Sequence, residues 1–204
     1  MIQQLVTGYH VVLICITACH VRGLYAVELG AGGALMKSAE LARFVRFVGI
    51  VTLAHIVTYF VAGAIAYPTL TKQFYEGPNP IFASFMRTPA QPDSWRHAVN
   101  WFLPENLLRG VLIGLVFCPL LATFRAWPFR LRFLMISGLC LVLGFWASAV
   151  AAPGTLEGMV YMRPEITPYA HLMVQPEIII QGLVFGAWVA AAASPIMWER
   201  RVGS

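Results

Sequence analysis

Two short patterns in this chain bring together residue types that can do chemistry. His97 lies seven residues before Pro104-Glu105, and His171 lies five residues before Pro176-Glu177. Imidazole nitrogens and carboxylate oxygens bind zinc, iron or manganese, and a His/Glu set also serves acid–base chemistry. His97, His171, Glu105 and Glu177 are therefore candidate ligands for a divalent metal. A second set, Glu105, Glu177, Arg109, Gln181, Tyr75 and Tyr161, could instead hold a small ligand or ion. Neither spacing is diagnostic. The chain has no His-Glu-x-x-His motif and no Cys-x-x-Cys pair, and no residue is assigned a catalytic role.

Each candidate has a simpler reading beside the functional one. Proline at the first helical position loses no hydrogen bond, and a carboxylate in the first turn faces the positive end of the helix dipole. Glu105 and Glu177 then merely start two helices. Arg109 follows Glu105 by four residues, the favourable order for an ion pair along one helix. Gln181 stands at the corresponding place after Glu177. A lone histidine in a loop is more often a packing or surface residue than a ligand.

The elements that position these residues are transmembrane helices. Hydrophobic residues make up 59% of the 204 and charged residues only 11%, against roughly 25% charged in soluble domains. A helix crossing the bilayer core needs about 20 apolar residues, and segments 47–67, 105–124, 133–152 and 177–198 meet that requirement. Segment 2–20 is long enough but contains Gln3, Gln4, His10 and His20. It is read as a fifth spanning helix, with an interfacial helix and a cleaved signal as alternatives. Two long segments, 68–104 and 153–176, connect the helices on one side, where connectors of this length tend to be functional.

Charge placement orients the bundle. The segment 22–46, the turn near residues 125–132 and the C-terminus hold nine of the fourteen Lys/Arg but three of the nine Asp/Glu. By the positive-inside rule these parts, including the C-terminus, face the cytoplasm, and the long connectors face outward from a cytoplasmic (inner) membrane. Trp95, Trp101, Tyr75, Tyr161 and Tyr169 suit an outer interface belt.

The chain also resembles itself. The segment from Phe60 to Pro68 reads FVAGAIAYP, and that from Phe145 to Pro153 reads FWASAVAAP, an offset of 85 that also pairs Thr52 with Ser137 and His55 with Cys140. Pro104-Glu105 and Gly110 and Gly114 match Pro176-Glu177 and Gly182 and Gly186 at an offset of 72. A tandem two-helix repeat follows. Residues 1–46 hold the N-terminal helix and a connector, 47–125 the first hairpin and 126–204 the second. Two like-oriented hairpins would be related by a pseudo-twofold axis along the membrane normal. The four glycines recur every fourth residue, as close helix packing in lipid requires.

Cofactor signals are few. Haem is disfavoured: His55 lies mid-segment, and a second axial ligand would have to come from His10 or His20. Cys15, Cys19, Cys118 and Cys140 sit in apolar stretches and suggest no disulfide framework. Phosphate-binding glycine loops, nucleophile elbows and dinucleotide fingerprints are lacking. The basic clusters flank apolar runs without aromatic interleaving, so no nucleic-acid partner is expected. The expected fold is an all-α integral membrane bundle of four or five helices with two long extracytoplasmic loops. The leading function is binding or transport of a small ligand or ion at a pseudo-symmetric outer site. An accessory subunit of a larger membrane complex, or a homo-oligomer, is the alternative, and a His/Glu membrane metalloenzyme the third.

Overall fold

The computed structural model describes residues 38–148 and 150–194, with side chains from Leu41 onward. Segment 2–20, with its cysteines and histidines, lies outside the described residues. The chain is all-helical: α1 (Ser38–Ala66), a π turn (Tyr67–Thr71), α2 (Lys72–Glu76), a 3₁₀ turn (Ile81–Ser84), α3 (Pro92–Phe117), a 3₁₀ turn (Cys118–Leu120), α4 (Leu121–Ala126), α5 (Phe129–Gly138), a π segment (Leu139–Trp146), α6 (Leu156–Tyr161), α7 (Pro168–Met173) and α8 (Gln175–Ala192). Among the described residues there is no strand. Four continuous helical stretches, Leu41–Glu76, Pro92–Ala126, Phe129–Trp146 and Pro168–Ala192, are long and apolar enough to cross a membrane.

Two of these stretches are longer than hydropathy alone indicates. The first runs for 36 residues, about 54 Å at a rise of about 1.5 Å per residue, well beyond a hydrocarbon core of about 30 Å. It passes Pro68 through the π turn, whose wider hydrogen-bonding loop accommodates a residue with no N–H. The second begins not at Pro104 but twelve residues earlier. Pro92 and Asp93 occupy its first turn, so the proline-plus-acid start expected at Pro104-Glu105 sits there, and Pro104 lies inside the helix. Most of the first connector is therefore helical. Within the fourth stretch, which begins at Pro168, α8 does carry Pro176 and Glu177 in its first turn. The third ends at Trp146 rather than at 152.

Close approach holds each hairpin together. A Cβ on Gly110 would lie 2.8 Å from Thr52 Cα, and one on Gly186 would lie 2.0 Å from Ser137 Oγ and 2.9 Å from its backbone nitrogen. No side chain fits at either place, so α3 and α8 run against the backbones of α1 and α5. Between the hairpins α1 packs on α8, so the four long helices follow the spatial order α3, α1, α8, α5.

The bundle has two unlike ends. At the turn end, Phe47, Val51, Ala54, Phe117, Phe124, Ile136, Phe185 and Val189 form a buried apolar core. There the buried Arg132 donates from Nη1 to the carbonyl of Ala193 at 3.0 Å, placing a cation at the C-terminus of α8. At the loop end, Phe74, Phe82, Ile166 and Ala170 make a second cluster that joins the two connectors.

Candidate functional site

A cavity of about 100 Å³ lies among all four long helices on the loop side of the apolar core. α1 contributes His55, Thr58 and Tyr59, α3 contributes Arg109 and Ile113, the π segment contributes Cys140, Gly144 and Phe145, and α8 contributes Gln181, Gly182 and Phe185. His55 and Tyr59 share a helix face because they are four residues apart. Gln181 lies six residues into α8, about 9 Å from its start. Phe185 and Ile113 floor the cavity, and Phe185 belongs to the apolar core beneath. Arg109 stands at the opposite side, its side chain 50% exposed.

Eight of the eleven lining residues fall into pairs. His55 and Cys140, and Tyr59 and Gly144, are each 85 residues apart. Arg109 and Gln181, and Ile113 and Phe185, are each 72 apart. These are the two offsets of the internal similarity. Register inside the hairpins is not identical, however. Gly110 meets Thr52, whereas the partner of Ser137 is Gly186 rather than Gly182, a slip of one helical turn.

Polar groups here are unequally satisfied. Thr52 and Thr58 donate to the carbonyls of Val48 and Ala54, at 2.8 and 2.7 Å, the usual resolution for threonine within a helix. Their hydroxyl protons are thus committed within α1 rather than to the His55 ring. His55 instead faces Asn106, but the alignment is incomplete: His55 Nε2 and Asn106 Oδ1 are both buried without a hydrogen bond. Asn106 is 1% exposed, and its Nδ2 donates to the carbonyl of Phe102 at 2.8 Å. Gln181, also buried, donates to Glu177 Oε1 at 3.1 Å, and that oxygen packs beside Gly63 on α1. Arg109 pairs with Glu105 at 3.7 Å.

The small-ligand set is thus partly assembled. Arg109 and Gln181 share the cavity. Glu177 adjoins it through Gln181, and Glu105 through Arg109. The two glutamates do not bond each other, but both lie within electrostatic range of Tyr59. Tyr75 packs against Phe82 in the loop-end cluster, within range of Glu177 and Tyr59. Tyr161, 73% exposed at the end of α6, is not brought to the site.

The metal set does not assemble. His97 is exposed on the first turns of α3, its ring 6.2 Å from that of Trp101. His171 is buried in the second connector, where its Nδ1 accepts the Gly154 N–H at 3.0 Å. Among the described residues no three His, Cys, Asp or Glu side chains converge as metal ligands. The physical reason is the early start of α3. It carries His97 along a continuous helix instead of letting it fold back onto Glu105.

Tyr59 and Asn106 are not among the candidates the sequence offers, and Cys140 stands there only as the repeat mate of His55. Applying the two repeat offsets to His55 and Arg109 reaches Cys140 and Gln181, and the four-residue helix spacing from His55 reaches Tyr59. Asn106 had no such signal. No protein-family model, curated protein or solved structure matches the chain.

Proposed function

We propose that this is a polytopic membrane protein that binds a small hydrogen-bonding solute in the cavity between its four long helices, reached from the loop end. One observation carries the reading: polar side chains from both hairpins converge on a single cavity inside an otherwise apolar bundle. Polar and ionisable residues at such a place are costly, and their default interpretation is functional. At about 30 Å³ per water, about 100 Å³ holds roughly three waters or a solute of a few heavy atoms. Arg109 offers a cation to an anionic or strongly accepting end. Gln181, His55 and Tyr59 offer further hydrogen bonds, and Phe145 and Phe185 offer apolar contact.

The apolar core beneath the cavity supports access from one end, which favours binding over an open conduction path. The basic turn near Arg125, Arg130 and Arg132 supports a cytoplasmic turn end, and the loop end then faces the opposite side. The paired lining residues and the glycine-faced hairpins support a tandem duplication of the two-helix unit.

Cys140 provides the test. In a variant with Cys15, Cys19 and Cys118 replaced by alanine, a small water-soluble methanethiosulfonate added to reconstituted protein should modify Cys140. A further Gly144→Leu substitution, which fills the cavity, should slow that reaction at least about tenfold, roughly 1.4 kcal/mol in the barrier. Reaction of Cys140 only after unfolding, or at a rate that Gly144→Leu leaves unchanged, would show that no aqueous solute reaches this site.

A further inference from the structure

A second, larger concavity lies in the connector between the π segment and α8. Its volume is about 790 Å³, within the range of about 300–1,000 Å³ typical of ligand pockets. Trp146, Met159, Met162, Ile166 and Leu172 supply most of its wall. Trp146 ends one membrane-length helix, and Leu172 lies in the first turns of the next. The groove therefore opens beside the ends of two candidate spans, and the exposed Leu156, Met159 and Leu172 continue the apolar surface outward from it.

The polar groups at its floor are engaged with one another. Trp146 Nε1 donates to Gln175 Oε1 at 2.9 Å, Gln175 Nε2 donates to the Gly154 carbonyl at 2.9 Å, and the Gly154 N–H donates to His171 Nδ1 at 3.0 Å. What remains for an occupant is apolar wall with one cation, Arg163. Among the described residues Arg163 makes no ion pair, and Glu157 and Glu165 of the same connector do not line the groove. An occupant matched to this surface has a long apolar body and one anionic end.

We infer that the groove holds an acyl chain of an anionic phospholipid from the surrounding bilayer, with the phosphate at Arg163. A free fatty acid offers similar chemistry but has no need of a groove placed beside two span ends. The inference rests on the membrane reading above and is independent of the interhelical cavity.

Trp146 reports on occupancy. The full chain in dodecyl maltoside is titrated with phosphatidylglycerol carrying a dibrominated acyl chain, and separately with the matching phosphatidylcholine. Subtracting the signal of Trp146→Phe isolates this one indole. Saturable quenching is expected, with half-saturation at least about threefold lower for phosphatidylglycerol. Arg163→Gln should bring the two lipids together, and Leu172→Gln should weaken both. Non-saturable quenching, or equal affinities unaffected by Arg163→Gln, would overturn the inference, as would tighter binding of brominated fatty acid than of phosphatidylglycerol. Cys140 modification in the same samples reads the other cavity, so the two proposals can fail separately.

Discussion

Replacing Gly110 or Gly186 by alanine tests whether the hairpins are built on backbone contact. A new Cβ at Gly110 would stand 2.8 Å from Thr52 Cα and 3.2 Å from the Thr52 carbonyl oxygen; at Gly186 it would stand 2.9 and 3.0 Å from Ser137 N and Cα. These neighbours are main-chain atoms and can yield only by separating the helices. Gly138 supplies an internal control, because it is also helical and its Cβ would meet nothing within 4 Å. The gain in intrinsic helix propensity, up to about 1 kcal/mol, is common to all three and cancels in the difference. What survives is the overpacking term of about 1–3 kcal/mol. Gly110→Ala and Gly186→Ala should therefore unfold more readily than Gly138→Ala by that amount, measured as the unfolding equilibrium in mixed detergent–SDS micelles. Thr52→Ala should not rescue Gly110→Ala, because Thr52 Cα remains. Equal stability of Gly110→Ala and Gly138→Ala, or full rescue by Thr52→Ala, would mean that α1 and α3 do not touch at this level.

Two further predictions concern the ends of the bundle. Arg132, 5% exposed, caps the last turn of α8 through Ala193. Arg132→Met should cost about 1.5–3 kcal/mol, the usual range for losing a hydrogen bond to a charged group, and should speed amide exchange near Ala193. Unchanged exchange there would show that the cap is not needed. Gln175→Leu removes the shared partner of Trp146 and Gly154. It should destabilise by about 1–3 kcal/mol through the groups left unpaired and alter Trp146 emission, whereas Gln175→Glu should retain the Trp146 bond. An unchanged melting transition in Gln175→Leu would refute this coupling of the connector to the helices.

Apolar runs made the four long helices legible, because a spanning helix needs a length of hydrophobic residues that little else in a sequence resembles. Their ends were not legible by the same means. The stretch from Pro92 to Leu103 contains Asp93, Arg96, His97 and Asn100, which lower its hydropathy without weakening its helix, so it reads as loop. The π turn at Pro68 hides a helix that continues to Glu76 in the same way. Beyond Pro92, His97 therefore rides on a continuous helix, and a histidine so placed cannot fold back toward Glu105 as one in a loop could. Arg109 is legible from its place four residues after Glu105, and Gln181 as its repeat mate. Asn106 was missed because burial, and not residue type or spacing, distinguishes it.

The cavity itself argues against a mere packing defect. On the proposed duplication, three of its matched pairs differ in one sense: His55 against Cys140, Tyr59 against Gly144, and Arg109 against Gln181. In each the first hairpin carries the larger side chain, and in the first two pairs the second hairpin carries a small one. A structure selected only to pack would fill the space opened by Gly144, where a Cβ would meet nothing within 4 Å, with aliphatic groups, since empty cavities that persist in proteins are apolar. Here that space is faced by an imidazole, a phenol and a guanidinium, and beside it Asn106 keeps a buried acceptor unpaired. An unpaired buried acceptor costs about 1–3 kcal/mol, which an apolar residue of similar shape would avoid. On the proposed binding function, His55, which faces that acceptor, and the polar side chains around it are placed to hydrogen-bond a solute.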